Sequence, residues 1–296
     1  MTRVNIGLNI SPQVAPDRDP VAEAVRAEQL GFDFVSLNDH IHASGPRYEA
    51  WTLMTWIAAA TRRVRVASRV LGVPYRHPAV LAKMAESFDR LSGGRLILGL
   101  GAGASEEEFG ALGLGQSSPG GRFAGLEEAI HVMRGLWSSA GFTFAGGRYR
   151  THEAVIEPAP MRPIPIWLGT HGPRGLELTG RLADGWIPSI ELAPPDAVPG
   201  MLGRITDAAR AAGRDPAAIT RTYNVVVSLD GGAHGPFLVS GSPETVAERL
   251  AGFWGLGFTA LNVIVAGSDP GGQVELLARE VLPAIRAAAM MLNWPA

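Results

Sequence analysis

Short β-branched apolar runs alternate along the chain with stretches patterned as amphipathic helix, and that alternation predicts βα units packed around a parallel sheet. Strands are expected to start near Val4, Asp33, Val64, Leu96, Ile164, Gly185, Thr222 and Ala260. Eight such units with right-handed crossovers close naturally into a barrel. The predicted fold class is therefore α/β, a (β/α)8 TIM barrel forming a single domain over residues 1–296.

The punctuation of the helices agrees with this. Asp19 is placed to cap the first helix, Pro20 suits its first turn, and Gly31 can end it in a left-handed conformation. Phe32 to Leu37 then reads as the second strand. A helix through Trp51 to Ala60 precedes a third strand from Val64 to Leu71; Pro78 opens a third helix that closes at Gly93-Gly94, and Leu96 to Leu100 is the fourth strand. Pro173 and Pro243 open later helices, and Asp184-Gly185-Trp186-Ile187 is a short strand between them. The spacing breaks after the fourth strand. Residues 104–160 read as an insertion holding a helix, Arg122 to Trp137, and a β-hairpin turning at Gly146-Gly147. Insertions on that scale usually carry function.

Composition narrows the chemistry. The 296 residues are 46% hydrophobic and 18% charged, enough apolar content for a sizeable core. A net charge of -2 with scattered basic residues is unlike a nucleic-acid-binding surface. The absence of cysteine removes disulfides, thiolate nucleophiles and sulfur-ligated metals. None of the seven histidines shows metal-ligand spacing, so no metal is predicted. With no run of membrane-spanning length and an opening that passes directly into Val4 to Ile10, the expectation is a cytoplasmic soluble protein acting on a small molecule, without nucleic-acid or membrane partners.

Two glycine clusters follow buried strands. Gly101-Ala102-Gly103 lies after strand four, where bare backbone can approach a ligand. Gly169-Thr170-His171-Gly172 leads into the helix opened by Pro173, where amides and the helix dipole suit a phosphate, and Arg174 in the first turn can add a charge-assisted contact; a tight turn alone would also explain these glycines. His40 follows strand two, at the barrel end where catalytic side chains converge, although a histidine there can also merely bond the strand end. Trp167 and Trp186 read as core or wall, Trp51 and Trp56 mainly as packing, and His77 as part of the third helix start. Arg122 either holds the loop after strand four or reaches a phosphate.

Taken in order, Gly31-Phe32-Asp33 with Asn38-Asp39-His40, Pro74-Tyr75-Arg76-His77-Pro78, Ser92-Gly93-Gly94-Arg95 with Gly99-Leu100-Gly101-Ala102-Gly103, and Leu182-Ala183-Asp184-Gly185-Trp186 resemble the luciferase-like monooxygenase superfamily over nearly the whole chain. The resemblance implies a barrel holding FMN or the deazaflavin coenzyme F420 at its C-terminal mouth. Arg76-His77-Pro78, the compact length and Gly169 to Pro173 are more similar to the deazaflavin-dependent oxidoreductases, so hydride transfer between F420 and a small organic substrate is the expectation. An FMN-dependent monooxygenase and a non-catalytic flavin-binding barrel are the alternatives. The resemblance further implies that His40 acts beside the cofactor ring, that Asp39 either bonds the ring edge or caps its loop, and that Val70-Leu71 carries a non-prolyl cis peptide behind the ring. A homodimer is also implied. One departure stands out: a sugar-phosphate dehydrogenase group of the superfamily places a glutamate proton donor where Ala104 stands here. Glu107 and Glu108, a turn later, read more simply as acidic residues favoured at a helix start.

Overall fold

A computed structural model of the protein describes residues 4–41, 45–103, 106–114 and 118–291. In chain order the elements are β1 (Asn5–Asn9), α1 (Pro20–Gln29), β2 (Phe34–Leu37), α2 (Ala50–Ala60), β3 (Arg65–Ser68), β4 (Leu71–Gly72) and α3 (Pro78–Ser92). Next come β5 (Leu96–Gly101), α4 (Glu106–Ala111), α5 (Pro119–Ser138), β6 (Phe142–Ala145), β7 (Arg150–Ala154), β8 (Ile166–Leu168) and α6 (Pro173–Leu182). The remainder is β9 (Gly185–Trp186), α7 (Val198–Ala211), β10 (Thr220–Ser228), β11 (Leu238–Ser240), α8 (Pro243–Gly255), β12 (Ala260–Val265), α9 (Pro270–Leu276) and α10 (Leu282–Met291). All eight predicted strands are present, as β1, β2, β3, β5, β8, β9, β10 and β12.

The chain divides into two compact units, residues 11–18 with 37–168, and the remainder. In the latter, β12 lies between β1 and β10, β1 also pairs β2, and β10 carries β9 and β11 on its other side, every pairing parallel. The core here is aromatic. Tyr223 stacks on Phe258 at 4.0 Å between ring centroids, and Trp186 stacks on the same ring at 5.8 Å. Asp33 ties the outer layer in by accepting from the Ile6 amide (2.9 Å) and from Arg286 of α10 (2.9 Å). The Gly31-Phe32-Asp33 signature is thus a turn, a core side chain and a clamp in succession.

In the 37–168 unit, β5 lies between β3 and β8, again in parallel. The predicted third strand is broken. Ala67 lies opposite Ile97 while Leu71 lies opposite Leu100, so the first strand carries one extra residue, a bulge, and resumes as β4. The non-prolyl cis peptide, expected at Val70-Leu71, lies one bond earlier, between Arg69 and Val70 inside that bulge. The bulge explains the glycines of β5: a Cβ on Gly99 would stand 2.0 Å from the Ser68 carbonyl oxygen, and one on Gly101 would stand 2.7 Å from Val70 Cγ2.

Arg95 accounts for the Ser92-Gly93-Gly94-Arg95 signature. Gly93 ends α3 at φ 75°, and the buried guanidinium that follows donates to the Ala58, Val64 and Ser92 carbonyls and to Thr61 Oγ1. One charged side chain thereby satisfies carbonyls at the end of α2, before β3 and at the end of α3.

The inserted segment holds the expected hairpin, β6 paired antiparallel with β7. Glu128 of α5 accepts from the Gly147, Arg148 and Tyr149 amides, each at 2.9 Å. Burial alone would raise that carboxyl, but those three amides, Tyr149's foremost, hold it below the usual carboxylate range. Two expectations need correction. The insertion contains a second helix, α4, besides α5. Trp56 is 67% exposed rather than packed, because it sits on the outer face of α2, whereas Trp51 is buried edge-on against Phe88.

Candidate active site

His40 follows the C-terminal end of β2, and its side chain is 46% exposed. Its neighbour is buried. Asp39 Oδ2 accepts from the Gly72 amide (3.0 Å) and Arg76 Nη1 (2.7 Å), and Oδ1 accepts from Arg76 Nη2 (3.1 Å). Arg76 also pairs with Glu49, the N-cap of α2, whose carboxylate receives the Trp51 and Thr52 amides. These bonds tie β4, the turn Val73–Tyr75 and the start of α2 to the residue preceding His40. His77, as expected, caps α3 by accepting from the Ala79 amide (3.3 Å).

Tyr75 folds back over Gly72, where a Cβ would stand 2.5 Å from the phenol ring, and meets Phe109 of α4 at 5.4 Å between centroids. Phe109 in turn occupies the side-chain position that Gly103, at φ 82°, leaves empty. Arg122 lies over Phe109 at 5.6 Å and contacts Glu106 at 3.3 Å, both residues of α4. This packing sets Glu108 at the base of the site. Its side chain is 1% exposed and its Oε2 lies 3.6 Å from His40 Nδ1. Burial, and then a hydrogen bond with Glu108, push the Tyr75 phenol well above its usual range. Sequence reading treated Glu108 as a helix-start residue; only the folding of α4 onto Tyr75 brings it to His40. Ala104 lies outside the described residues.

The second group of predicted residues follows β8. Gly169 to Gly172 lead into α6, whose N-terminus has no side-chain cap, and a Cβ on Gly172 would meet nothing within 4 Å. His171 and Arg174 are exposed there. Thr170 is buried: its hydroxyl bonds Thr179 Oγ1 (2.8 Å) and the Gly175 carbonyl, and its own carbonyl accepts from Trp186 Nε1 (2.8 Å).

The sequence reading missed two polar clusters, one within β2, β10 and β12 and one in the loops that follow β10 and β12. In the first, Ser36 Oγ donates to Asn262 Oδ1 (3.0 Å), and Asn262 Nδ2 donates to Asn224 Oδ1 (2.7 Å). The signal was two asparagines breaking Val- and Leu-rich strands. In the second, Asp230 accepts from Ser228 Oγ, the Gly232 and Ser268 amides and Gln273 Nε2, joining the loops after β10 and β12. The Gly232 amide foremost, then Ser228, hold its carboxyl far below the usual range. A carboxyl depressed in the folded state stabilises above its unfolded value, about 3.9, and that stabilisation is lost as pH falls through the folded value. D230N is therefore expected to melt below wild type at pH 7, with the gap narrowing as pH drops under about 4. Equal gaps in thermal melts at pH 7 and pH 3 would contradict this.

Among the described residues, no group of three or more His, Asp and Glu is arranged to hold a metal, and no helix is long and apolar enough to cross a membrane.

Parallel strands alternating with helices, with an exposed imidazole beside a buried carboxylate after a strand C-terminus, define the class as an α/β enzyme. The chain belongs to the luciferase-like monooxygenase family, whose model matches residues 6–233, and its fold is the (β/α)8 barrel of that family. It is 30% identical to an F420-dependent glucose-6-phosphate dehydrogenase of Intrasporangium calvum, over 96% of this chain and 99% of that one. Among solved structures, an F420-dependent secondary alcohol dehydrogenase in complex with an F420-acetone adduct matches with a TM-score of 0.86 at 22% identity, covering 96% of this chain and 99% of that one. The coenzyme F420-dependent tetrahydromethanopterin reductase of Methanopyrus kandleri matches with a TM-score of 0.81 at 20% identity, over 96% and 100% of the two chains.

Proposed function

We propose that the protein is an oxidoreductase that uses coenzyme F420 and exchanges a hydride with a small organic substrate. The observation that carries the reading is the full-length similarity to an F420-dependent dehydrogenase, and the residues present suit the cofactor. Uncapped amides at the start of α6, with Arg174 in its first turn, are suited to a phosphate. Open space beside Gly172 lets such a group approach the backbone. Val70, half-buried at the bulge, offers an apolar side chain against which a ring would rest, with the fully buried Leu71 behind it. When bound, the deazaflavin supplies a ring carbon that takes or gives the hydride.

The protein's own part is proton handling and orientation. In the oxidising direction, His40 takes the proton of a substrate hydroxyl at Nε2; in the reducing direction it returns one to the new oxygen. Asp39 acts at one remove, its bonds to Arg76 and Gly72 fixing the backbone that precedes His40. The substrate itself is left open by the alanine at 104.

Spectroscopic titration of the purified protein with oxidised F420, and separately with FMN, tests the reading. Saturable F420 binding at least about tenfold tighter than FMN, a difference of about 1.4 kcal/mol, is expected. Absence of F420 binding, or tighter binding of FMN, would overturn it.

A further inference from the structure

Two polar residues of opposite exposure meet at His40, and the proposed reaction as stated uses only one of them. Glu108 is sealed from solvent beneath Tyr75, Phe109 and the imidazole, while His40 presents nearly half its side chain to solvent. A carboxylate in such a position is too enclosed to meet a substrate, yet its Oε2 lies 3.6 Å from Nδ1, the ring nitrogen it faces. Hydrogen bonds in ligand-free sites are often long and tighten once a ligand is seated.

We infer that Glu108 is the positioning residue of His40: it accepts the Nδ1 proton, fixes the ring in that tautomer and leaves Nε2 as the lone pair that meets the reacting hydroxyl. The logic is that of any base oriented by a buried acceptor, where the third group sets tautomer and direction without itself reacting. The other ionisable groups in the immediate setting are already committed. Asp39 is taken by Arg76 and Gly72, Arg76 by Asp39 and Glu49, and Tyr75 is hydrogen-bonded with Glu108. Glu108 is thus the acceptor within reach of the ring, and the packing that places it there is specific. Gly103 admits Phe109, Phe109 abuts Tyr75, and Arg122 closes over Phe109.

The inference rests on the proposed acid–base role of His40, and its test has an arm independent of that role. In cofactor-free protein at pH 8, nitrogen-15 correlation spectra of the imidazoles, with His40→Gln identifying the resonances, are expected to show His40 protonated on Nδ1. In E108L, an apolar side chain of similar reach for the buried position, the proton is expected to move to Nε2. Retention of the Nδ1 tautomer in E108L, or a wild-type ring already protonated on Nε2, would overturn the inference whether or not F420 is the cofactor. In the F420 assay, E108L is expected to lose at least about 100-fold in kcat with KM changed less than about threefold, and E108D to recover part of the loss. A loss confined to KM would also overturn it. A far-UV spectrum and melting curve matching wild type certify the folded state of each variant used; should E108L fail that check, E108Q takes its place, and an unchanged tautomer in E108Q overturns the inference equally.

Discussion

Replacing His40 by alanine is expected to reduce turnover by about three orders of magnitude while F420 affinity stays within about threefold of wild type. Positioned proton transfer contributes roughly 10² to 10⁴ in rate, and the upper part of that range applies where the base is oriented by a buried partner. The side chain is 46% exposed, so its removal leaves no core cavity and the change in rate is attributable to chemistry. Asp39, Arg76 and Gly72 remain bonded to one another in the variant, and the surrounding backbone keeps its shape. Steady-state kinetics alongside cofactor titration separate the terms. A kcat within tenfold of wild type would remove His40 from the reaction and leave it as a side chain that only closes the end of its strand.

Gly99→Ala is expected to produce the largest loss of stability, about 3 kcal/mol or more and roughly 10 °C in melting temperature. The added carbon would stand 2.0 Å from the Ser68 carbonyl oxygen, 3.0 Å from its carbon and 3.1 Å from Val70 Cγ1. The neighbour is backbone in a parallel sheet, and Ser68 is further fixed through its hydroxyl, which bonds both the Gly99 carbonyl and amide at 2.8 Å. No flexible side chain can yield the space. Because the displaced segment runs into Val70 and Leu71, weaker F420 binding is expected with the lower stability. Gly252→Ala in α8 is the matched control: nothing lies within 4 Å of its added carbon, and helix propensity predicts a gain of about 0.5–1 kcal/mol. Calorimetric melts in which the two variants fall together would show that the crowding at Gly99 carries no weight.

The glycines after strand four show where legibility stops. Read as sequence, Gly101 to Gly103 mark backbone open to a ligand, and Gly99 is a residue of the strand before them. In the fold, Ser68, Val70 and Phe109 occupy the space beside Gly99, Gly101 and Gly103, so these residues first serve packing within the protein. The register offset between β3 and β4 could not be read from residue pattern, in which Val64 to Leu71 forms one continuous strand; one extra residue in one strand leaves no local mark.

Local physics wrote much of this protein into its sequence. Strand and helix order, the caps at Asp19 and His77, the left-handed end of α3 at Gly93 and the Gly146-Gly147 turn depend on backbone preferences and hydrogen bonds between near neighbours. The family signature and the position of His40 after a strand end were legible for the same reason. Tertiary structure alone decided the partners. Asp39 meets Arg76 37 residues on, Asn224 meets Asn262 across adjacent strands, and Glu108 reaches His40 only because α4 folds onto Tyr75. Which groups meet across such separations is fixed by packing, which no local pattern encodes.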